Sequence, residues 1–123
     1  MKIDEAIQQV DVLKPNAYSV RHKIAWLSRL EAMVKRLVID EYVGGEDIPF
    51  EEFKEDVDYK KELYMPAPFD AAYLYWLEAQ IHYTNEDIDM YNGAMMLFNS
   101  VFSEFKAYYK RNHVAKGTGR FLF

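Results

Sequence analysis

The sequence contains no cysteine, and this absence excludes several classes of protein at once. Without cysteine the chain has no disulfide bonds, no Cys-ligated zinc site and no thiol nucleophile. Its uninterrupted apolar runs, residues 94–98 among them, are far shorter than the roughly 20 residues that cross a bilayer. Asp4 and Glu5 stand where an export signal would have basic and then apolar residues. We therefore expect no export signal and no membrane partner.

Sequence motifs of metal-binding, phosphate-binding and catalytic sites are missing or incomplete. Glu78 and His82 are spaced i, i+4 on one predicted helix, but no other helix carries Glu-x-x-His to complete a di-metal site. The Gly-Thr-Gly of residues 117–119 precedes a short tail rather than a helix that could bind phosphate. The three histidines are scattered, and none is an obvious base for a serine nucleophile. We expect no enzymatic activity, no bound metal and no cofactor.

Half of the 123 residues are hydrophobic, which is enough for one domain with its own core. Apolar residues recur at helical spacing in four segments, so we predict an all-α fold, a small bundle of about four helices. These helices are predicted at residues 3–13, 19–43, 70–83 and 86–111. Ser19 is expected to cap the second, and either Leu30 or Glu31 lies on its buried side. The predicted core includes Trp26, Leu30, Leu37, Trp76, Leu77, Met95, Phe98 and Phe102.

The last two predicted helices carry many large apolar residues. In the fourth helix these alternate by three and four from Ile88 to Tyr109, and Leu97 and Val101 widen the stripe, which favours packing inside a bundle. In residues 64–83, two prolines are followed by aromatic residues on more than one side of the third helix. One interpretation is that the surplus, Tyr75 in particular, contacts a neighbouring molecule. The other is that all these rings are internal.

The connection at residues 44–68 is longer than the roughly 12 to 15 residues of ordinary loops. From Gly44 to Met65 it has eight acidic residues and three lysines. Apolar anchors within it predict an ordered acidic protrusion, in which residues 48–50 and 62–65 are placed to pair as a short β-hairpin. The acidic residues that we expect to contact a partner are Glu51, Glu52, Glu55 and Asp56.

The end of the chain has the opposite charge. From Phe105 onward there are five basic residues and no acidic one. We predict a single helical domain at residues 1–112 and a C-terminal arm at 113–123, because the helical pattern stops and glycines follow. The arm could dock on the acidic loop of a neighbour, fold back on its own bundle or stay disordered. Its candidate contact residues are Arg111, Lys116, Arg120, Phe121 and Phe123.

Five segments occur in a characteristic order. They are LKPNAYS ahead of a Trp-containing helix, GGEDIPFE after it, YMPAPFDAAYLYWLEAQIHY, NEDIDMYNGAMMLFNSVFSEFKAYYKRNH and a terminal KGTGRFLF. Together they span nearly the whole chain. In this order the chain resembles small proteins from the structural modules of tailed phages and prophages of Gram-positive bacteria, specifically head-tail connectors, also called head-completion or adaptor proteins.

The resemblance implies a non-enzymatic virion protein that is present in the host cytoplasm during assembly. Such a subunit associates with itself into a ring below the portal and contacts portal and tail-side connector proteins. DNA passes through the channel of that ring, close to the subunits. Ring contacts are head-to-tail, so each subunit needs two different complementary surfaces.

Two other classes are compatible with the sequence. The basic end, interleaved with aromatic residues, suggests a small nucleic-acid-binding module, although the net charge of −5 and the lack of a dense basic stripe oppose it. A small helical regulator of phage or bacterial origin is the other alternative.

Overall fold

The computed structural model describes residues 1–117 and is all-α, as predicted from the helical spacing. Its four helices are α1 (Ile3–Leu13), α2 (Val20–Leu37), α3 (Ala71–Thr84) and α4 (Ile88–Asn112). Two short 3-10 turns, Ile39–Glu41 and Gly45–Asp47, follow α2. None of the helices in this part of the chain is both long and apolar enough to cross a membrane.

The helix ends follow local chemistry. Ser19 caps α2, since its side chain accepts a hydrogen bond from the His22 backbone N–H, and Asp87 caps α4 by accepting from Met90. The predicted cap of α2 is therefore confirmed, and α4 begins two residues after the predicted residue 86. The second helix also ends at Leu37 instead of near residue 42, because the chain turns there and buries both Val38 and Ile39.

α3 lies at the centre of the bundle and packs against each of the other three helices. Tyr73 and Leu77 are fully buried, and the Trp76 indole donates a hydrogen bond to the Trp26 carbonyl at 2.9 Å. The ring centroids of Trp76 and Phe98 are 5.3 Å apart, which joins α3 to α4. A helix enclosed on three sides needs apolar residues around most of its circumference. This position accounts for most of the aromatic surplus of α3.

The predicted core is largely confirmed. Trp26, Leu30, Trp76, Leu77, Phe98 and Phe102 are buried, and Met95 is half-buried against them. Leu37 was predicted wrongly: it is 52% exposed because α2 ends there and the following turn brings Val38 inward in its place.

The loop between α2 and α3 is ordered but contains no β-hairpin. Residues 59–63 instead bond to the start of the chain: Ile3 N–H donates to Lys61 O at 3.1 Å, and Leu63 N–H donates to Met1 O at 2.9 Å. An isolated antiparallel bridge joins Lys2 to Glu62. Because the N-terminal residues bind the backbone groups that a hairpin would use, residues 48–50 and 62–65 do not pair.

Candidate interaction surfaces

Two buried polar residues of α2 hold the loop against the bundle. The Phe53 backbone N–H donates to Ser28 Oγ at 2.9 Å, and the Tyr64 backbone N–H donates to Glu31 Oε2 at 2.9 Å. Ser28 and Glu31 are one helical turn apart and therefore lie on the same face of α2. The loop path is thus fixed by side chain to backbone hydrogen bonds at two points.

Glu31 is the centre of a small buried network. Its Oε1 accepts a hydrogen bond from the Tyr73 hydroxyl at 2.5 Å, and that hydroxyl accepts one from the Met65 backbone N–H at 2.8 Å. Burial raises the pKa of Glu31 to about 7, although the hydrogen bonds from Tyr73 and Tyr64 act in the opposite direction. Burial likewise raises the pKa of the Tyr73 hydroxyl, and the nearby Glu31 adds to this rise. The network joins α2, α3 and the end of the loop.

The acidic residues predicted to contact a partner are all exposed on this loop. Glu51, Glu52 and Asp56 border an open hollow of about 640 Å³ whose floor includes Phe53 and Val57. Glu55 differs from them, since its carboxylate pairs with Arg21 at 2.8 Å. Within residues 1–117 the other three carboxylates form no ion pair, although Lys54 and Lys61 line the same hollow and reduce its net negative charge.

The C-terminal end of α4 presents the opposite charge. Lys106, Lys110 and Arg111 are exposed and form no ion pair with any residue that the structure describes. Lys106 Nζ lies over the ring of Phe102, 5.2 Å from its centroid, which leaves its charge at the surface. Arg111, the predicted contact residue of this helix, is therefore available to a partner.

The first residues of the predicted arm fold back on their own bundle. Val43 N–H donates to Val114 O at 2.8 Å, Lys116 N–H donates to Glu41 O at 3.1 Å, and an isolated bridge joins Tyr42 to Ala115. These contacts place residues 113–116 beside the turn that follows α2, not on the acidic residues 51–56.

Charge supports this internal docking. Lys116 Nζ lies 3.4 Å from Glu46 Oε2. The pKa of Glu46 is held below its usual value, first by its own backbone amide and then by Lys116. Lys116 thus pairs with an acidic residue of its own chain. The other arm residues predicted to make contacts, Arg120, Phe121 and Phe123, lie outside the described residues.

Tyr75 and the Glu78–His82 pair occupy the outer side of α3. Tyr75 is half-buried and packs against the core, so only part of its ring is available to a neighbour. His82 Nε2 lies 3.3 Å from Glu78 Oε1, and Lys14 Nζ lies 3.4 Å from the same oxygen. In residues 1–117 no three or more His, Asp or Glu side chains are grouped so that they could hold a metal ion.

A further exposed apolar surface lies on α4. Leu97 is 50% exposed and Met90 is 44% exposed, whereas Phe98 and Phe102 are buried. Sequence reasoning placed Leu97 inside the bundle because it adjoins the large-residue stripe. The structure places it outside because α4 packs mainly against α3, so only one side of the helix is covered. Leu97 is rotated by roughly 100° about the axis of α4 from the buried Phe98, and this offset could have indicated that Leu97 is exposed.

Comparison with known proteins identifies no relative of this chain: no family model, no curated protein and no solved structure matches it.

Proposed function

We propose that this chain is a head-tail connector subunit of a tailed phage or prophage, forming a ring below the portal that joins the DNA-filled head to the tail. The proposal starts from the order of the five sequence segments that resemble such proteins. It assigns the chain a structural role in the virion, with assembly in the host cytoplasm, and no reaction to catalyse.

The observation that carries the proposal is the separation of two oppositely charged surfaces on one subunit. The acidic surface, Glu51, Glu52 and Asp56, lies beside the first half of α2, where Ser28 binds the loop. The basic surface, Lys106, Lys110 and Arg111, lies at the far end of α4, where Tyr109 contacts Tyr42 just after α2. Both surfaces are exposed, and neither neutralises the other within the subunit.

Such an arrangement suits a head-to-tail contact. A heterologous interface joins two different patches of identical subunits, and it closes a ring when the rotation per subunit divides a full turn. Opposite charges steer the encounter and fix the register, while apolar groups near them supply most of the affinity. Phe53 at the base of the acidic hollow and the half-buried Tyr108 beside the basic surface are apolar groups at these two places.

The nucleic-acid-binding alternative has less support from the same region. Stacking on bases requires exposed aromatic faces. Tyr109 is buried and stacks on His113 with centroids 3.7 Å apart, and Tyr108 packs on Phe69 at 5.0 Å. Of the aromatic rings at the basic end, Tyr108 and Tyr109, which lie within the described residues, are therefore packed against their own subunit.

Charge reversal on each surface separately tests the proposal. The acidic-surface variant is Glu52→Lys with Asp56→Lys, the basic-surface variant is Lys110→Glu with Arg111→Glu, and Arg36→Glu, an exposed position on α2, is the control. Ring formation on the portal protein encoded in the same genome is followed by negative-stain electron microscopy and native mass spectrometry.

We expect neither double variant to form rings alone, whereas a one-to-one mixture should assemble again, because the intact surfaces pair with each other and the two reversed surfaces are again complementary in charge. The control should assemble like the wild-type protein. Rings formed normally by both variants would reject the two surfaces as ring contacts. Failure of the wild-type protein to bind any portal, together with a gene that lies outside a phage structural module, would reject the connector role itself.

A further inference from the structure

Four apolar residues form a row on α4 that no part of the described chain covers completely. We call Met90, Leu97, Val101 and Tyr108 the α4 stripe. At about 100° per residue, they lie within roughly 20° of one line along the helix. Met90 and Leu97 are exposed, and Val101 and Tyr108 are half-buried. An exposed row of this kind on a helix is the usual signature of a helix–helix contact.

The α4 stripe is symmetric about Asn99. Met90 and Tyr108 stand nine residues before and after it, and Leu97 and Val101 stand two residues before and after it. Two copies of α4 that run antiparallel with their centres aligned would therefore bring Met90 opposite Tyr108 and Leu97 opposite Val101. The same contacts would be repeated on both sides of a two-fold axis, as an isologous interface requires.

The charges at the two ends of α4 complement each other in the same register. Glu86 and Asp87 precede the helix, and Arg111 lies at its end; none of the three forms an ion pair within residues 1–117. When residue 99 of each copy is aligned, these acidic and basic groups lie at the same height, about 18 Å from the centre at 1.5 Å per residue. A parallel pairing would instead place like charges together at both ends.

Gly93 provides an independent indication of close approach. It lies inside α4, where glycine is unfavourable relative to alanine, and a Cβ atom built on it would meet nothing within 4 Å. The subunit itself therefore gives no steric reason for a glycine at this position. Gly93 borders the α4 stripe, where a missing side chain would let a second helix pack closely.

From this symmetry, the end charges and Gly93, we propose that two free copies of the chain pair through antiparallel α4 helices. The inference does not rest on the proposed function. Four large side chains per copy bury less than the roughly 1,200 Å² of standard stable interfaces. We therefore expect a weak dimer whose population rises with protein concentration.

The first experiment compares two neighbouring exposed residues. Leu97→Lys places a charge on the α4 stripe, and Met96→Lys places the same charge on a residue that is 72% exposed but faces about 100° away. Sedimentation equilibrium should show dimerisation weakened by roughly tenfold or more in the first variant and by less than about twofold in the second. Equal effects, or a wild-type protein that stays monomeric up to about 1 mM, would overturn the proposal.

The second experiment tests the orientation of the helices. The absence of native cysteine allows a single spin label at Ser100→Cys or at Lys110→Cys. Antiparallel pairing predicts an axial separation between the two labels of about 3 Å for position 100 and about 33 Å for position 110. Similar short distances at both positions would indicate parallel pairing and reject the proposal.

The third experiment tests the end charges. Arg111→Glu should weaken the dimer, and adding Glu86→Lys to it should restore the affinity, because the two charges exchange places. If the second substitution does not restore the affinity, Arg111 and Glu86 form no ion pair across the interface. Ring formation by a subunit that never dimerises in free solution would reject this pairing and leave the connector role intact. A subunit that dimerises but forms no ring would leave this pairing intact and reject the connector role.

Discussion

Replacing Glu31 by Gln should make the protein more stable at neutral and alkaline pH. Glu31 is 2% exposed, and burial raises its pKa from 4.5 to about 7. A glutamine in its place resembles the protonated acid: its carbonyl oxygen accepts from the Tyr64 backbone N–H and its amide donates to the Tyr73 hydroxyl oxygen, whose own O–H then loses the acceptor that Glu31 Oε1 provided. The substitution removes the charge that the interior disfavours while retaining the shape of the side chain.

The size of the effect follows from the pKa. Because the folded state holds the Glu31 proton more tightly than the unfolded state, this group stabilises the fold fully below pH 4.5, and the contribution is lost as the pH rises to about 7. At about 1.4 kcal/mol per pKa unit, the total loss is about 3 kcal/mol. About 2 kcal/mol of it falls between pH 5.5 and 8.5, a range above the pI, where the protein should be soluble.

The assay is urea unfolding followed by circular dichroism across that pH range. The free energy of unfolding of Glu31→Gln should exceed that of the wild type by an amount that grows with pH. Glu41→Gln, an exposed carboxylate on the turn after α2, is the control and should leave the pH dependence unchanged. A Glu31→Gln protein with the wild-type pH dependence, or one less stable than wild type at pH 8.5, would refute the reasoning.

Three further predictions concern packing, helix propensity and the arm. Phe98→Ala should cost about 3 to 5 kcal/mol, because Phe98 is 2% exposed and contacts Trp76 and Phe102; an unchanged melting temperature would contradict its place in the core. Gly93→Ala should stabilise the monomer by about 0.5 to 1 kcal/mol in urea unfolding, and a loss would reveal a steric contact within the subunit. Truncation after Asn112 should cost about 1 to 3 kcal/mol more than truncation after Gly117, since only the shorter chain loses the two backbone hydrogen bonds to residues 41–43; equal losses would mean that these contacts contribute nothing.

The helices could be predicted from the sequence because their determinants are local. The spacing of apolar residues, the Ser19 cap and Pro15 after α1 all act within a few residues of the element they specify. The end of α2 was not predictable in this way. The chain leaves the helix at Leu37 to bury Val38 and Ile39 and to meet residues 114–116, which lie more than 70 positions later.

The loop and the surfaces depend on contacts between distant residues. Helical spacing placed either Leu30 or Glu31 on the buried side of α2, and both are buried. The hydrogen-bond partners of Glu31 are Tyr64 and Tyr73, which are 33 and 42 residues away. The sequence pattern therefore could not indicate that a buried carboxylate at position 31 would find hydrogen-bond partners. The exposed acidic residues were predictable from their charge. The exposure of Leu97 was indicated only by its offset around α4, because it also depends on how many helices surround α4.

The way the loop is attached has a consequence for how its sequence can change. Ser28, Glu31 and Tyr73 bind backbone N–H groups of Phe53, Tyr64 and Met65, and any residue except proline supplies that group. The exposed residues 51, 52, 55 and 56 flank the first of these attachment points, Phe53, and add little to the subunit's own stability. The loop can therefore exchange its outward-facing side chains, and with them the charge of its outer surface, without altering the course of its backbone.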